Sequence, residues 1–202
     1  MKAQDNIDSR FLARLGCFSG VWKRGQTLAL LWNTLRWAVF SITLYFAADY
    51  FLALDETTRR VLNLALPLAW LLLALPEARR ILRTGPGDIA RRADRLGRHR
   101  RNELLTAWEL LRGRQSPPDG DGAELPAFLV RRSVEGALAK ASALPPRLLR
   151  PHARLARQGR LLAIQVLASA AILLCFGPAA ISTIAPRLLW PGRDIPPFSR
   201  YR

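Results

Sequence analysis

The residues whose types could do chemistry are few and scattered. Two histidines, His99 and His152, each sit in an arginine-rich stretch, and the cysteines Cys17 and Cys175 lie far apart with no CxxC or Cys/His spacing around them. Acid–base or nucleophilic catalysis needs a base within hydrogen-bond reach of a second polar group, and a metal needs several ligands at short fixed spacings. The sequence supplies neither pattern, nor a glycine-rich phosphate loop or a nucleophile elbow. No catalytic residue, cofactor or metal is therefore expected, and the chain reads as one without enzymatic activity. Carboxylates fall mostly one helical turn from an arginine, as Asp94 does from Arg91 and Arg98. That spacing suits surface pairs worth a few tenths of a kcal/mol.

What the sequence does concentrate is guanidinium. Arg79, Arg80, Arg83, Arg91, Arg92, Arg95, Arg98, Arg100 and Arg101 crowd one stretch, and the block 77–160 holds nineteen Lys and Arg against nine Asp and Glu. Guanidinium matches the geometry of phosphate and carboxylate oxygens, so these nine arginines are the candidate surface for anionic lipid head groups or an acidic protein partner. The formal charge of +16 over 202 residues would, in a soluble protein, point first at nucleic acid. The basic block lacks aromatic interleaving and any recognisable nucleic-acid module, so that partner is not expected.

The elements that must carry this charge are set by its segregation. Residues 37–48, 61–76 and 161–186 contain no ionised side chain, the pattern of a chain whose parts face different solvents. The expected fold is all-α: an integral membrane protein with three transmembrane helices and an amphipathic helical hairpin in the cytoplasm. Residues 1–27 form a cytoplasmic segment in which Phe11, Leu12, Leu15, Phe18 and Trp22 recur every three or four positions. Two readings of it stand open, a helix lying on the head groups and a loose tail. A transmembrane hairpin follows over 28–76, its spans at about 28–54 and 61–76, joined by the neutral turn DETTRR. Arg36 and Asp49 lie near opposite ends of the first span, each within reach of an interface. Pro67 is expected to bend the second, which Pro76 closes.

The basic region 77–160 should then contain two amphipathic helices. One, ARRADRLGRHRRNELLTAWEL over 90–110, is capped by Asp88 and places Ala93, Leu96, Leu104, Trp108 and Leu111 on one stripe. The other carries Phe128, Val130, Val134, Ala137, Leu138, Ala141 and Leu144. Between them, 113–126 reads as a loop rich in Gly, Pro and acid. The third span, 161–185, has its weak point at Gly177-Pro178 and places Cys175 as a small packing residue. Residues 186–202 form an exported, periplasmic tail. Charge decides this orientation: the first 27 residues carry +3, the turn is neutral, and 77–160 carries +10, so the N-terminus and the basic block belong inside a bacterial inner membrane.

This order of parts, with the arginine-rich helix over 90–110 and the closing PRLLWPGRDIPPFSRYR, resembles the N-terminal region of large uncharacterised bacterial membrane proteins of the kind encoded beside MoxR-type ATPases and von Willebrand A-domain proteins. The resemblance spans nearly the whole chain and transfers no catalytic residue. It implies a scaffold or envelope-associated role and a periplasmic part following the third span, so that the chain ends where such a part would begin. The leading expectation is a membrane-anchored scaffold or interaction protein. Two alternatives remain: a subunit of an oligomeric transporter or channel, suggested by Arg36, Asn63, Pro67 and Gln165 inside spans, and polyanion or nucleic-acid binding through residues 79–101.

Overall fold

A computed structural model of the chain describes residues 2–97, 102–115 and 127–190, and among these the fold is all-α, without strands. The helices are α1 (Lys2–Leu52), α2 (Glu56–Arg83), α3 (Pro86–Leu96), α4 (Glu103–Gln115), α5 (Ala127–Ala143), α6 (His152–Phe176) and α7 (Pro178–Leu189), with a 3-10 turn at Pro146–Leu149. The chain divides into two compact units: Met1–Thr27 with Arg80–His152, and Leu28–Arg79 with Ala153–Arg202.

In the first unit, the four-three-four spacing of Phe11, Leu15, Phe18 and Trp22 puts all four on one face of α1, and that face is buried. It covers protein rather than head groups, which overturns both readings of this segment from sequence. Arg14, one turn along, donates to the carbonyls of Ala141 (3.1 Å), Ser142 (3.3 Å) and Leu144 (3.0 Å) at the end of α5. It thereby satisfies acceptors that a helix C-terminus leaves open. Val130, Val134, Ala137 and Ala141 line the buried side of α5, whereas Phe128 stands in solvent.

The helix expected over 90–110 is two helices. α3 ends at Leu96, and Asn102, in the left-handed region at φ 49°, precedes α4. Asp94 spans the break. Instead of pairing on the surface it is 0% exposed and accepts from the backbone N–H groups of Leu104 and Leu105, both at 3.1 Å. The first turn of α4 has N–H groups with no partner of its own, and a buried carboxylate from α3 meets two of them. α4 in turn packs against both α3 and α5, burying Ala93, Leu104 and Leu111 but not Leu96. Asp88 is not the cap of α3. It lies within the first turn, after Pro86, and accepts from Gly85 N at 3.2 Å. The loop expected at 113–126 begins inside α4, which runs to Gln115; 116–126 lie outside the described residues.

The second unit is a helical hairpin with a third helix beside it. Ser41 of α1 accepts from Trp70 of α2 (3.2 Å), and further along α1 Tyr45 donates to the carbonyl of Arg59 (3.1 Å). Contacts that advance along α1 while retreating along α2 define antiparallel neighbours, as the six-residue turn predicts. The turn is itself capped: Asp55 accepts from Thr58 N (3.2 Å) and the Thr58 hydroxyl, which hold its carboxyl below the usual carboxylate range. α6 runs parallel to α1. Gly159 lies so close to Trp32 that an added Cβ would sit 2.8 Å from its ring, and at the other end the Phe46 and Phe176 rings are 5.5 Å apart.

Among the described residues, α2 and α6 are the two helices long and apolar enough to cross a membrane. At 1.5 Å per residue, their 28 and 25 residues reach about 42 and 37 Å, against a hydrocarbon core of about 30 Å. The apolar half of α1 is not one of them, because Arg36, Asp49 and its polar-tipped aromatics dilute its hydropathy. Two boundaries differ from expectation. α2 continues through Pro67 and Pro76 to Arg83, so Pro76 does not close it. The run 161–185 is broken as its Gly-Pro pair predicts: Gly177, at φ 81° and ψ 160°, ends α6, and α7 continues past Pro186 to Leu189. Cys175 is exposed on α6 rather than packed.

Removing the Asp94 carboxylate should strand two backbone donors. Asp94→Ala is expected to cost about 1–3 kcal/mol of stability, read as a lower melting temperature of the helical circular-dichroism signal. Arg91→Ala should leave that temperature almost unmoved.

Candidate functional site

Two arrangements of charge could serve a function, one in each unit. In the first unit, Arg80, Arg83, Arg91 and Arg95 are exposed, and Arg79, just within the second, is exposed as well. Arg91 and Arg95 are four apart on α3, opposite the buried Ile89 and Ala93, so the core that folds the helix also turns these two guanidinium groups outward. No carboxylate among the described residues forms an ion pair with either. Arg92 is different: it is half-buried, its guanidinium carbon 4.7 Å from the centre of the Trp22 ring, where it lies against the fold instead of projecting into solvent as Arg91 and Arg95 do. Arg98, Arg100 and Arg101 lie outside the described residues. Arg147 and Arg150, outside the predicted set, are exposed in the same unit.

The second arrangement is buried. Asp49 of α1, Arg59 of α2 and Arg187 of α7 are 2%, 5% and 3% exposed. Arg187 Nη2 stands 3.4 Å from Asp49 Oδ1 and also donates to the carbonyl of Leu54 (3.3 Å). Arg59 Nη1 donates to the carbonyl of Arg187 (3.4 Å), and Asn63 Nδ2 to that of Leu188 (2.7 Å). Alongside, Phe46, Ala180 and Ile184 form a buried cluster flanked by Tyr50 and Phe176. Neither oxygen of Asp49 makes a hydrogen bond, nor do Arg59 Nε, Arg187 Nε and Arg187 Nη1. One carboxylate thus faces two guanidinium groups in an apolar surround, and the attraction between unlike charges ties three helices together at one end of the unit.

Sequence reasoning reached only part of this cluster. Asp49 is conspicuous as a charge in an apolar run, yet its expected place was the interface. Arg59 belongs to a turn whose charges cancel on paper; the structure pairs Arg60 with Glu56 on the surface and turns Arg59 inward. Arg187 falls in the expected exported tail. The signal that places it correctly is the spacing of Ala180, Ile184 and Arg187, which a helix brings to one face. Among the described residues, no three His, Cys, Asp or Glu side chains gather into a group able to hold a metal.

In comparisons with protein-family models, curated proteins and solved structures, nothing matches the chain.

Taking away one member of the buried pair leaves the other charge uncompensated. Asp49→Ala and Arg187→Ala are each expected to destabilise the protein by about 3–5 kcal/mol, and the double variant by much less than their sum. Denaturant titration of helicity in detergent measures the cycle, and strictly additive losses would show the two residues to be uncoupled.

Proposed function

We propose that the protein is a membrane-anchored scaffold or interaction protein of a bacterial inner membrane, with no catalytic step of its own. α2, α6 and the apolar half of α1 cross the bilayer, and the first unit presents its arginines to anionic lipid head groups or an acidic partner in the cytoplasm. One observation carries this reading: the helices fit to cross a membrane keep their leucines outside. Leu64 and Leu73 of α2 are 76% and 67% exposed, Leu167 and Leu174 of α6 71% and 77%. The core helix of a soluble protein would bury such residues. Each is worth about 1.5–3 kcal/mol when removed from water, so the nine exposed leucines of these two helices dominate the energetics in hydrocarbon.

Charge supports the orientation. The end of α2 and the approach to α6 bring exposed Arg79, Arg80, Arg83, Arg147, Arg150, Arg157 and Arg160, whereas at the opposite ends of these helices the Glu56–Arg60 pair and the Asp49–Arg187 pair compensate charge locally. Uncompensated arginines beside spans favour the cytoplasmic side. Against the transporter alternative, the polar groups suggestive of a path are engaged close by: Arg36 with Asn33, Gln165 with Ser169, and Asn63 with the end of α7.

The purified protein is expected to need detergent or lipid to remain monodisperse in size-exclusion chromatography; a monodisperse protein in plain buffer would refute membrane insertion. Reversing Arg91 and Arg95 to Glu should weaken binding of the detergent-solubilised full-length protein to added phosphatidylglycerol vesicles and flatten its salt dependence. Unchanged salt dependence would remove α3 from the binding surface.

A further inference from the structure

The second unit contains a cleft of about 270 Å³ between α1 and α2, lined by Asn33, Thr34, Trp37, Trp70, Leu73 and Ala74. Its walls come from residues one turn apart on each helix, and it stays open because Thr34 and Ala74 are small where neighbours are bulky. The polar groups around it are arranged. Trp70 Nε1 is held by Ser41 (3.2 Å), and Asn33 Oδ1 by Arg36 Nη2 (3.0 Å). The Arg36 guanidinium carbon lies 5.5 Å from the centre of the Trp37 ring. Arg36 itself forms no ion pair with a carboxylate among the described residues.

From this juxtaposition we infer that the cleft is a binding site for one anionic glycerophospholipid, with an acyl chain between Trp37 and Trp70 and its phosphate on Arg36. The inference rests on membrane insertion and goes further, to one lipid in one place. Size and charge select the occupant. The volume falls below the roughly 300–1,000 Å³ of sites for drug-sized ligands, so it suits a slender chain rather than a ring system. Mostly apolar walls that include Trp37 and Trp70 match the boundary between acyl chain and head group. An uncompensated guanidinium beside that boundary calls for an anion, and basic pockets between spans on the cytoplasmic side take acidic head groups. The level in the unit agrees. Residues 33–37 and 70–74 sit toward the end where Glu77 pairs with Arg154 and where Arg79 is exposed, the end at which the head groups of the basic side would lie.

The test titrates phosphatidylglycerol or phosphatidylcholine into delipidated full-length protein in neutral detergent and counts retained lipid by native mass spectrometry. One phosphatidylglycerol per chain is expected, held about tenfold more tightly than phosphatidylcholine. Arg36→Gln and Ala74→Phe, which fills the cleft, should each weaken retention about tenfold, with helicity checked by circular dichroism and Ala74→Leu used if the larger residue disturbs it. The Arg91→Glu, Arg95→Glu variant should retain the lipid. Wild-type retention in either cleft variant, equal binding of phosphatidylcholine, or loss in the α3 variant overturns the site. Because the protein is handled in detergent throughout, such a result would leave membrane insertion itself intact.

Discussion

Leu64, Leu68, Leu71, Leu72 and Leu73 of α2 and Leu167 and Leu174 of α6 are each more than half exposed, and much of the second unit's architecture follows from that constraint. A soluble fold would close its helices around such side chains. Here the hairpin and α6 meet through polar or aromatic points, Ser41 with Trp70, Glu77 with Arg154, Phe46 with Phe176, and turn their aliphatic residues outward. If these helices lie in hydrocarbon, as proposed, the hydrophobic effect does not gather them, and close approach and hydrogen bonds must do so. The contact of Gly159 with Trp32 is the former and the Tyr45 hydroxyl on the Arg59 carbonyl is the latter.

The first unit obeys the opposite rule. Its helices are short, and they hold through an ordinary apolar core of Phe11, Phe18, Ile89, Leu104 and Val134. Around that core, charged groups close helix ends: Arg14 at the last carbonyls of α5, Asp94 at the first N–H groups of α4. Once those two residues are used for the fold, the arginines opposite the core of α3 are left outward, so the basic surface is a by-product of how the unit folds.

Sequence periodicity made the helical class, the hairpin and the weak point at Gly177 legible, since each rests on a local rule: uncharged runs, a short polar turn, a Gly-Pro pair. It failed where the outcome depends on which partner a face meets. Phe11, Leu15, Phe18 and Trp22 announce an apolar face, but lipid and protein leave the same pattern in the residues. Asp94 shows the same limit, because a spacing that fits a surface pair also fits a carboxylate reaching across a chain break. Gly97 and Asn102 marked that break, yet the run of arginines between them carried no stop signal strong enough to divide the helix. For the candidate surface, composition points to the arginines only as a population, and geometry separates Arg92, stacked on Trp22, from the exposed Arg91 and Arg95.

Gly177 has an outsized influence for a residue with no side chain to place. A Cβ there would meet no atom within 4 Å, so the first atom of a side chain has room. What side chains resist is the backbone angle, which lies in territory that glycine alone enters freely. A residue forcing the backbone back toward negative φ would swing α7 onto another heading and carry Arg187 away from Asp49. An error of torsion would thereby be converted into a stranded charge at a distant point, and a sequence change with no steric footprint would have an electrostatic one.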